Sequence, residues 1–377
     1  MHLVNSSFIS GIFPEELKIA KGVPIFKGGD ALDKCNYRPI SLLPVMSKIF
    51  ERAMFTRSYT FLENNNLLDG VQHGFRSGRS TVTATIQFVE SIIDSMDKGE
   101  NVLGIFMDLT KAFERVCHKL LLKILSQMNI KGSALKWFQS YLTNRQQYVE
   151  IQTLENNTLF KTQSKLCKIH NGVPQGSILG PILFICYISQ FSKSILNVPQ
   201  HNLCLYADDA NVKISAESQT KLLDIVRTIM SNIKKYLNDQ KLELNIKKTK
   251  FIHFRTKQSR RKFDQNISFE QSVLEPVEVT KFLGLLVDGN LTWDVHIDYI
   301  QNKINSGLYA LRKMSYYCSQ TSLKMIYFAF IHSHISYGVS LYGATSKTNL
   351  DKLLILQKKS NRNHSKLKTK SISKKTL

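Results

Sequence analysis

"HNLCLYADDANVKIS", residues 201–215, alternates apolar and polar positions on both sides of an interruption at Asp208 and Asp209. Alternation with a period of two is the mark of a half-buried strand, so the stretch is expected to be a hairpin with two adjacent carboxylates at its tip. About a hundred residues upstream, "VLGIFMDLTKAFERV" (102–116) gives a short apolar strand that ends at Asp108. A helix is expected to follow it, with Phe113, Val116, Leu120, Leu121 and Ile124 as its apolar positions. Two strand ends therefore present acids. If those strands are neighbours, Asp108, Asp208 and Asp209 meet at one edge of a sheet backed by helices, which is an α+β arrangement.

The rest of the chain supports a sizeable core. It has 377 residues, 43% of them hydrophobic, enough for one large unit or two to three smaller ones. Lys and Arg number 51 against 29 Asp and Glu, a formal charge of +22, which points to a polyanionic partner, nucleic acid first and an acidic membrane surface second. The longest apolar stretch, "PILFICYIS" (181–189), is far too short to span a bilayer, so no membrane partner is expected. The first residues lack a basic segment followed by an apolar one, and no secretory signal is expected. The six cysteines form no CxxC pair and read as buried thiols of a reducing, intracellular compartment. His332 and His334 are better explained by helix packing than by a metal, because no Cys or carboxylate accompanies them.

Elsewhere the pattern predicts a strand in "GVPIFKG", helices over "SLLPVMSKIFERAMFTRSYTFLENN" and over the run that starts after Ser80 and stops at Gly99, and a helix over "SALKWFQSYLTNR". "CKIHNGVPQGSILGPILFICYISQF" passes from a Gly and Pro turn into an apolar helix. "TKLLDIVRTIMSNIKKYLNDQ" is amphipathic; "LELNI" and "KFIHF" read as strands; two helical runs follow Trp293; and a Lys-rich tail from Lys358 is expected to be disordered.

An isolated pair of Asp residues is usually a turn. Three gathered acids are another matter, since they repel one another and are costly to hold in a partly buried site. A pair of Mg²⁺ ions removes that cost, because this hard cation prefers carboxylate oxygens and takes its remaining ligands from water and substrate phosphates. Such sites carry out in-line nucleotidyl displacement.

Seven segments stand in a fixed order: 24–52, "QHGFRSGRST" (72–81), "FMDLTKAFERV" (106–116), "NGVPQGSILGPILF" (171–184), "YADDANV" (206–212), "LNIKKTKFIHF" (244–254) and "KFLGLLVDGNLTW" (281–293). From about residue 8 to about residue 357 the chain resembles the reverse transcriptases of non-LTR retrotransposons, the jockey-like elements most of all. The resemblance implies an RNA-directed DNA polymerase with a right-hand fold. Residues 1–101 would be fingers and an N-terminal extension, and 102–287 a palm with fingers insertions, the reverse transcriptase domain covering about 8–287. Residues 288–357 would be a helical thumb-like region, and 358–377 the basic tail.

It also implies roles. Asp108, Asp208 and Asp209, with the Leu109 carbonyl, would hold two Mg²⁺ ions, Mn²⁺ being a possible substitute. Phe113 would lie under the deoxyribose and exclude a 2′-hydroxyl; its other explanation is a core residue at helical spacing. Gln175 would meet the incoming dNTP or its templating base, with Gly172 and Gly176 allowing close backbone approach. Lys27 and Arg38 would hold the triphosphate, Lys248 would protonate the leaving diphosphate, and Tyr206 would pack or touch the primer. Lys303, Arg312 and Lys313, together with the run at 254–262, would meet the phosphates of an RNA template and DNA primer.

Glu114 stands where the family commonly has Asp, and "YGVSLYG" lacks a usual Trp. The C-terminal pattern dissolves after "LLILQKK", and no room is apparent for the endonuclease that usually precedes the polymerase, so a truncated copy lacking endonuclease is expected. The alternatives are a catalytically silent nucleic-acid-binding remnant, a maturase or a domesticated reverse transcriptase. The family's habits suggest a nuclear location.

Overall fold

The computed structural model describes residues 2–259, 263, 265–269 and 271–373. Its first third holds α1 (His2–Ser10), β1 (Ile19–Phe26), β2 (Tyr37–Leu42), α2 (Val45–Asn64) and α3 (Thr81–Asp97). Ser80 caps α3 in a reciprocal capping box with Thr83, and Gly99 takes a positive φ of 74° just past its end, so both boundary signals hold.

The middle runs through β3 (Asn101–Met107), α4 (Ala112–Arg115), α5 (His118–Gln127), α6 (Gly132–Leu142), β4 (Gln146–Glu155), β5 (Thr158–Gln163), β6 (Cys167–Lys168), α7 (Gly180–Tyr187) and α8 (Phe191–Ile195). β7 (His201–Tyr206), β8 (Asp209–Ala216), α9 (Gln219–Asp239) and β9 (Lys250–Phe254) follow, then β10 (Ser268–Phe269), β11 (Ser272–Val273), β12 (Glu275–Pro276), β13 (Val279–Phe282) and β14 (Leu285–Asp288). Helices α10 (Asp294–Met314), α11 (Gln320–Tyr327), α12 (Ser333–Ser336), α13 (Val339–Tyr342) and α14 (Lys347–Ser373) complete the chain.

The central sheet has the order β12-β9-β3-β8-β7. β3 lies antiparallel to both β8 and β9, and all seven of its residues are buried. A strand covered on both faces reads as a continuous apolar run, which is what "VLGIFM" (102–107) is. Leu103, Ile105 and Met107 face one core with α2, α5, α7 and α9, whereas Val102 and Phe106 face a second core with α3, β14 and α10. A second sheet, β2-β1-β4-β5 with β6 also on β4, is built by a parallel pairing of β1 and β4.

Three expectations need correction. The helix after Asp108 is two helices, because Gly172 N donates to Val116 O at 2.8 Å and Val173 N to Phe113 O at 2.9 Å, diverting carbonyls that would have continued it. "LELNI" makes only a single bridge, Leu244 with Leu109, before a turn leads into β9. The run read as disordered from Lys358 continues α14 to Ser373; residues 374–377 and the 260–262 portion of the basic run lie outside the described residues. The second helical run after Trp293 contains a π turn, Phe328–His332, between α11 and α12. Among the described residues no helix is long and apolar enough to cross a membrane.

Candidate active site

The register Met107 with Ala210 carries on to set Asp108 opposite Asp209. The hairpin pair Tyr206 with Asp209 leaves Ala207 and Asp208 as the tip. All three acids thus share one end of the central sheet. Burial, and then the charge of Asp108, push the Asp208 carboxyl above its usual range, against the opposing pull of Arg38 and Lys248. Asp209 is solvent-exposed by area yet crowded enough that burial, Asp208 and Asp108 push it up to about 6.

Segment 243–248 lies along the other side of Asp108. Thr110 N donates to Glu243 O and Asn245 N to Asp108 O, both at 2.8 Å. These two bonds flank Leu109, so its own carbonyl faces away from that segment. Lys248 Nζ lies 2.9 Å from Asp108 Oδ2, and Asn245 Nδ2 donates to the same oxygen at 3.5 Å.

Beside the acids opens a cavity of 330 Å³ lined by Arg38, Phe75, Phe113, Gln175, Gly176 and Asp208, among others. Five separate segments meet there. Phe113 stacks on the buried Phe184 at 4.4 Å between centroids and meets Phe75 edge-on at 6.4 Å, so it is both a core residue and a cavity wall. Gln175 O accepts from Ser41 N at 2.7 Å, tying the loop to β2, and Gln175 Nε2 donates to Glu114 Oε1 at 3.4 Å. Gly176 has φ +119°, and a Cβ there would stand 2.6 Å from Ser41 O, so only glycine fits. The buried Glu51 accepts from Ile178 N at 2.6 Å and pins the loop from below.

The expected set is largely brought together: Asp108, Leu109, Asp208, Asp209 and Lys248 at the sheet end, with Arg38, Phe113, Gln175 and Gly176 around the cavity. Lys27 is not; it is exposed beyond the end of β1, whose Ile25 pairs with Arg38, and it does not line the cavity. Glu51, Phe75 and Gln72 fall inside the quoted segments 24–52 and 72–81, but their individual contacts have no local signal, because each acts through a partner more than thirty residues away.

A hard divalent cation fits this donor set, in which burial and neighbouring acids raise the Asp208 and Asp209 carboxyls. Among the described residues no three His, Cys, Asp or Glu side chains close into a cage around an ion. His332 and His334 likewise belong to no such cluster.

With sheet, acids and cavity in place, the family becomes legible. The profile of the family "Reverse transcriptase (RNA-dependent DNA polymerase)" matches residues 25–287, more than half of the chain, and the chain belongs to that family, with its α+β right-hand fold. Among individual proteins it is 28% identical over 369 residues to the RNA-directed DNA polymerase from mobile element jockey of Drosophila melanogaster, covering 95% of this chain and 38% of that protein. It is 27% identical over 363 residues to the probable RNA-directed DNA polymerase from transposon X-element of the same fly, covering 92% and 37%. The chain thus spans less than two fifths of the length of these relatives. Of solved structures, apo telomerase from Candida tropicalis truncated from its C-terminal domain aligns with TM-score 0.48 and 13% identity, covering 74% of this chain and 54% of that one.

Proposed function

We propose that this chain is the polymerase part of a non-LTR retrotransposon protein and transfers dNMP units to a DNA 3′-hydroxyl under the direction of an RNA template. The observation that carries this reading is the cavity that ends on Asp208 at the acidic sheet end and is walled by Arg38, Phe113 and the Gln175–Gly176 loop.

Asp108, Asp208 and Asp209, with the Leu109 carbonyl, would hold two Mg²⁺ ions, or Mn²⁺ in their stead. When bound, such ions lower the cost of charge on the attacking oxygen and on the leaving diphosphate. The chain's own residues do the rest. Arg38 offers a forked guanidinium to the triphosphate, a role Lys27 shares only if its loop folds over the cavity. Gln175, anchored through its own carbonyl, presents its amide to the nucleotide. Phe113 forms the floor against which a 2′-oxygen would clash. The 3′-hydroxyl gives up its proton to water as its oxygen attacks the α-phosphorus, the bond to the β-phosphate breaks, and Lys248, freed from Asp108, gives its proton to the departing diphosphate.

The region 1–101 acts as fingers, joined by the β4–β5 hairpin through the shared sheet. Residues 102–287 form the palm, and α10 and its followers act as a thumb whose Lys303, Arg312 and Lys313 grip phosphates. The test is primer extension on an RNA template with purified protein, Mg²⁺ and dNTPs. Extension by the wild type and its loss in Asp208→Ala are expected. No extension by the wild type overturns the polymerase reading in favour of a silent binding remnant, and equal extension by both overturns the metal-holding role of Asp208.

A further inference from the structure

Ala207 is a non-glycine residue at φ +57°, in the left-handed region, directly before Asp208. Such a conformation costs about 1 kcal/mol or more and persists only where its surroundings enforce it. Here the enforcement comes from residues 71–74, far away in sequence. Leu205 N donates to Val71 O at 3.0 Å and His73 N to Leu205 O at 2.8 Å, so this segment adds itself in parallel to the free edge of β7. Gln72, only 2% exposed, then turns its amide onto the tip. Its Oε1 accepts from Ala207 N at 3.0 Å and from Gly74 N at 2.7 Å, and its Nε2 donates to Ala207 O at 3.5 Å. Both backbone polar groups of Ala207 are therefore held by one side chain. Gly74 packs against the Ala207 backbone so closely that a Cβ there would collide with it. Arg79 in turn donates to Gln72 O at 2.9 Å and fixes the clamp itself.

We infer that Gln72 is a positioning residue for the catalytic tip: it locks the left-handed turn at Ala207 and so sets the direction in which Asp208 leaves the main chain. A buried glutamine that merely satisfied its own amide would need no such pairing with both groups of one strained residue. The same loop supplies Phe75 to the cavity wall, so the clamp also ties the nucleotide cavity to the acids. The inference rests on the proposed polymerase function for its chemical consequence, but its geometric claim is independent of that function.

Gln72→Met keeps the volume and removes all three bonds. A displacement of about 1 Å at reacting groups can cost about a hundredfold in rate, so kcat for extension is expected to fall about ten- to a hundredfold, with KM for dNTP and the affinity for primer–template close to wild type. Amide hydrogen exchange across 203–212 is expected to quicken about tenfold or more, the order of change expected when a bond worth about 1.4 kcal/mol to the closed state is lost. Gln72→Glu, which keeps the acceptor oxygen but loses the donor, is expected to retain the protection at Ala207 N–H while still losing kcat; it serves also if the Met variant does not fold. Wild-type kcat and exchange in Gln72→Met overturn the inference, as does a parallel loss of kcat, duplex affinity and melting temperature in both variants, which marks a general structural role. Should the wild type fail to extend any primer, the polymerase reading falls, and the exchange at Ala207 still decides for or against the clamp.

Discussion

Phe113 serves the core with one face and lines the cavity with the other, so its core explanation holds and its proposed place beneath the sugar is open to test. Phe113→Ala is expected to relax sugar discrimination by about tenfold or more, read as the ratio of kcat/KM for dNTP to that for rNTP; an unchanged ratio counts against the sugar gate. His296 is a different kind of residue. It is buried between Trp293 and Tyr342, its Nδ1 accepts from Leu286 N at 3.3 Å, and burial holds its pKa down to about 4. The unfolded chain takes up this proton from about pH 6.5, the folded chain only near pH 4. The unfolded state is therefore favoured as pH falls through that window, and about 3 kcal/mol of stability present above pH 6.5 is expected to be lost by pH 4. Thermal melts should show this slope in the wild type, and a lower but flatter profile in His296→Phe. At this scale the sequence is informative where chemistry is rare. Adjacent acids after a strand stand out, whereas Gln72 does not, because one glutamine has no periodicity and its partner lies at Ala207.

Elements were legible in proportion to how far local pattern decides them. The β7–β8 hairpin, α3 with its cap, and α9 follow from alternation, capping chemistry and helical spacing. The break between α4 and α5 does not, since its cause is a loop some sixty residues away that takes the carbonyls of Phe113 and Val116. "LELNI" has strand composition, yet it lies beyond the end of the sheet, where only Leu109 is left to pair with it. That loop between β6 and α7 also yields a prediction. Gly176→Ala must either leave φ +119° or push into Ser41 O, a strain of about 1–3 kcal/mol. A fall of about ten- to a hundredfold in kcat/KM for dNTP is expected, with primer–template affinity kept; a variant with wild-type kcat/KM would show that the loop does not need this close approach.

For the molecule as a whole, a charge of +22 makes electrostatics the main source of affinity for any polyanion. Lys303, Arg312 and Lys313 are all exposed along α10. Replacing the three by Ala is expected to make the slope of log affinity against log salt shallower by about 3, roughly one per lost phosphate contact, while kcat at saturating duplex stays unchanged. An unaltered slope would remove α10 from the nucleic-acid surface. The α+β class and the meeting of Asp108 with the Asp208 hairpin could be read in advance from apolar runs and acids. The union of β1 with β4 across the second sheet could not, because pairing between such distant strands leaves no mark on either.

The order of the central sheet also has a consequence for how the chain is made. Both neighbours of β3, β8 and β9, lie downstream of it, the nearer by about a hundred residues. At a ribosome adding about 5–20 residues per second, β3 emerges about 5–20 s before any strand exists to pair with it. For that interval the apolar run 102–107 has two open edges, a ready template for association between nascent chains. The strand that carries Asp108 to the sheet end is thus also a segment in need of a chaperone's shelter during synthesis.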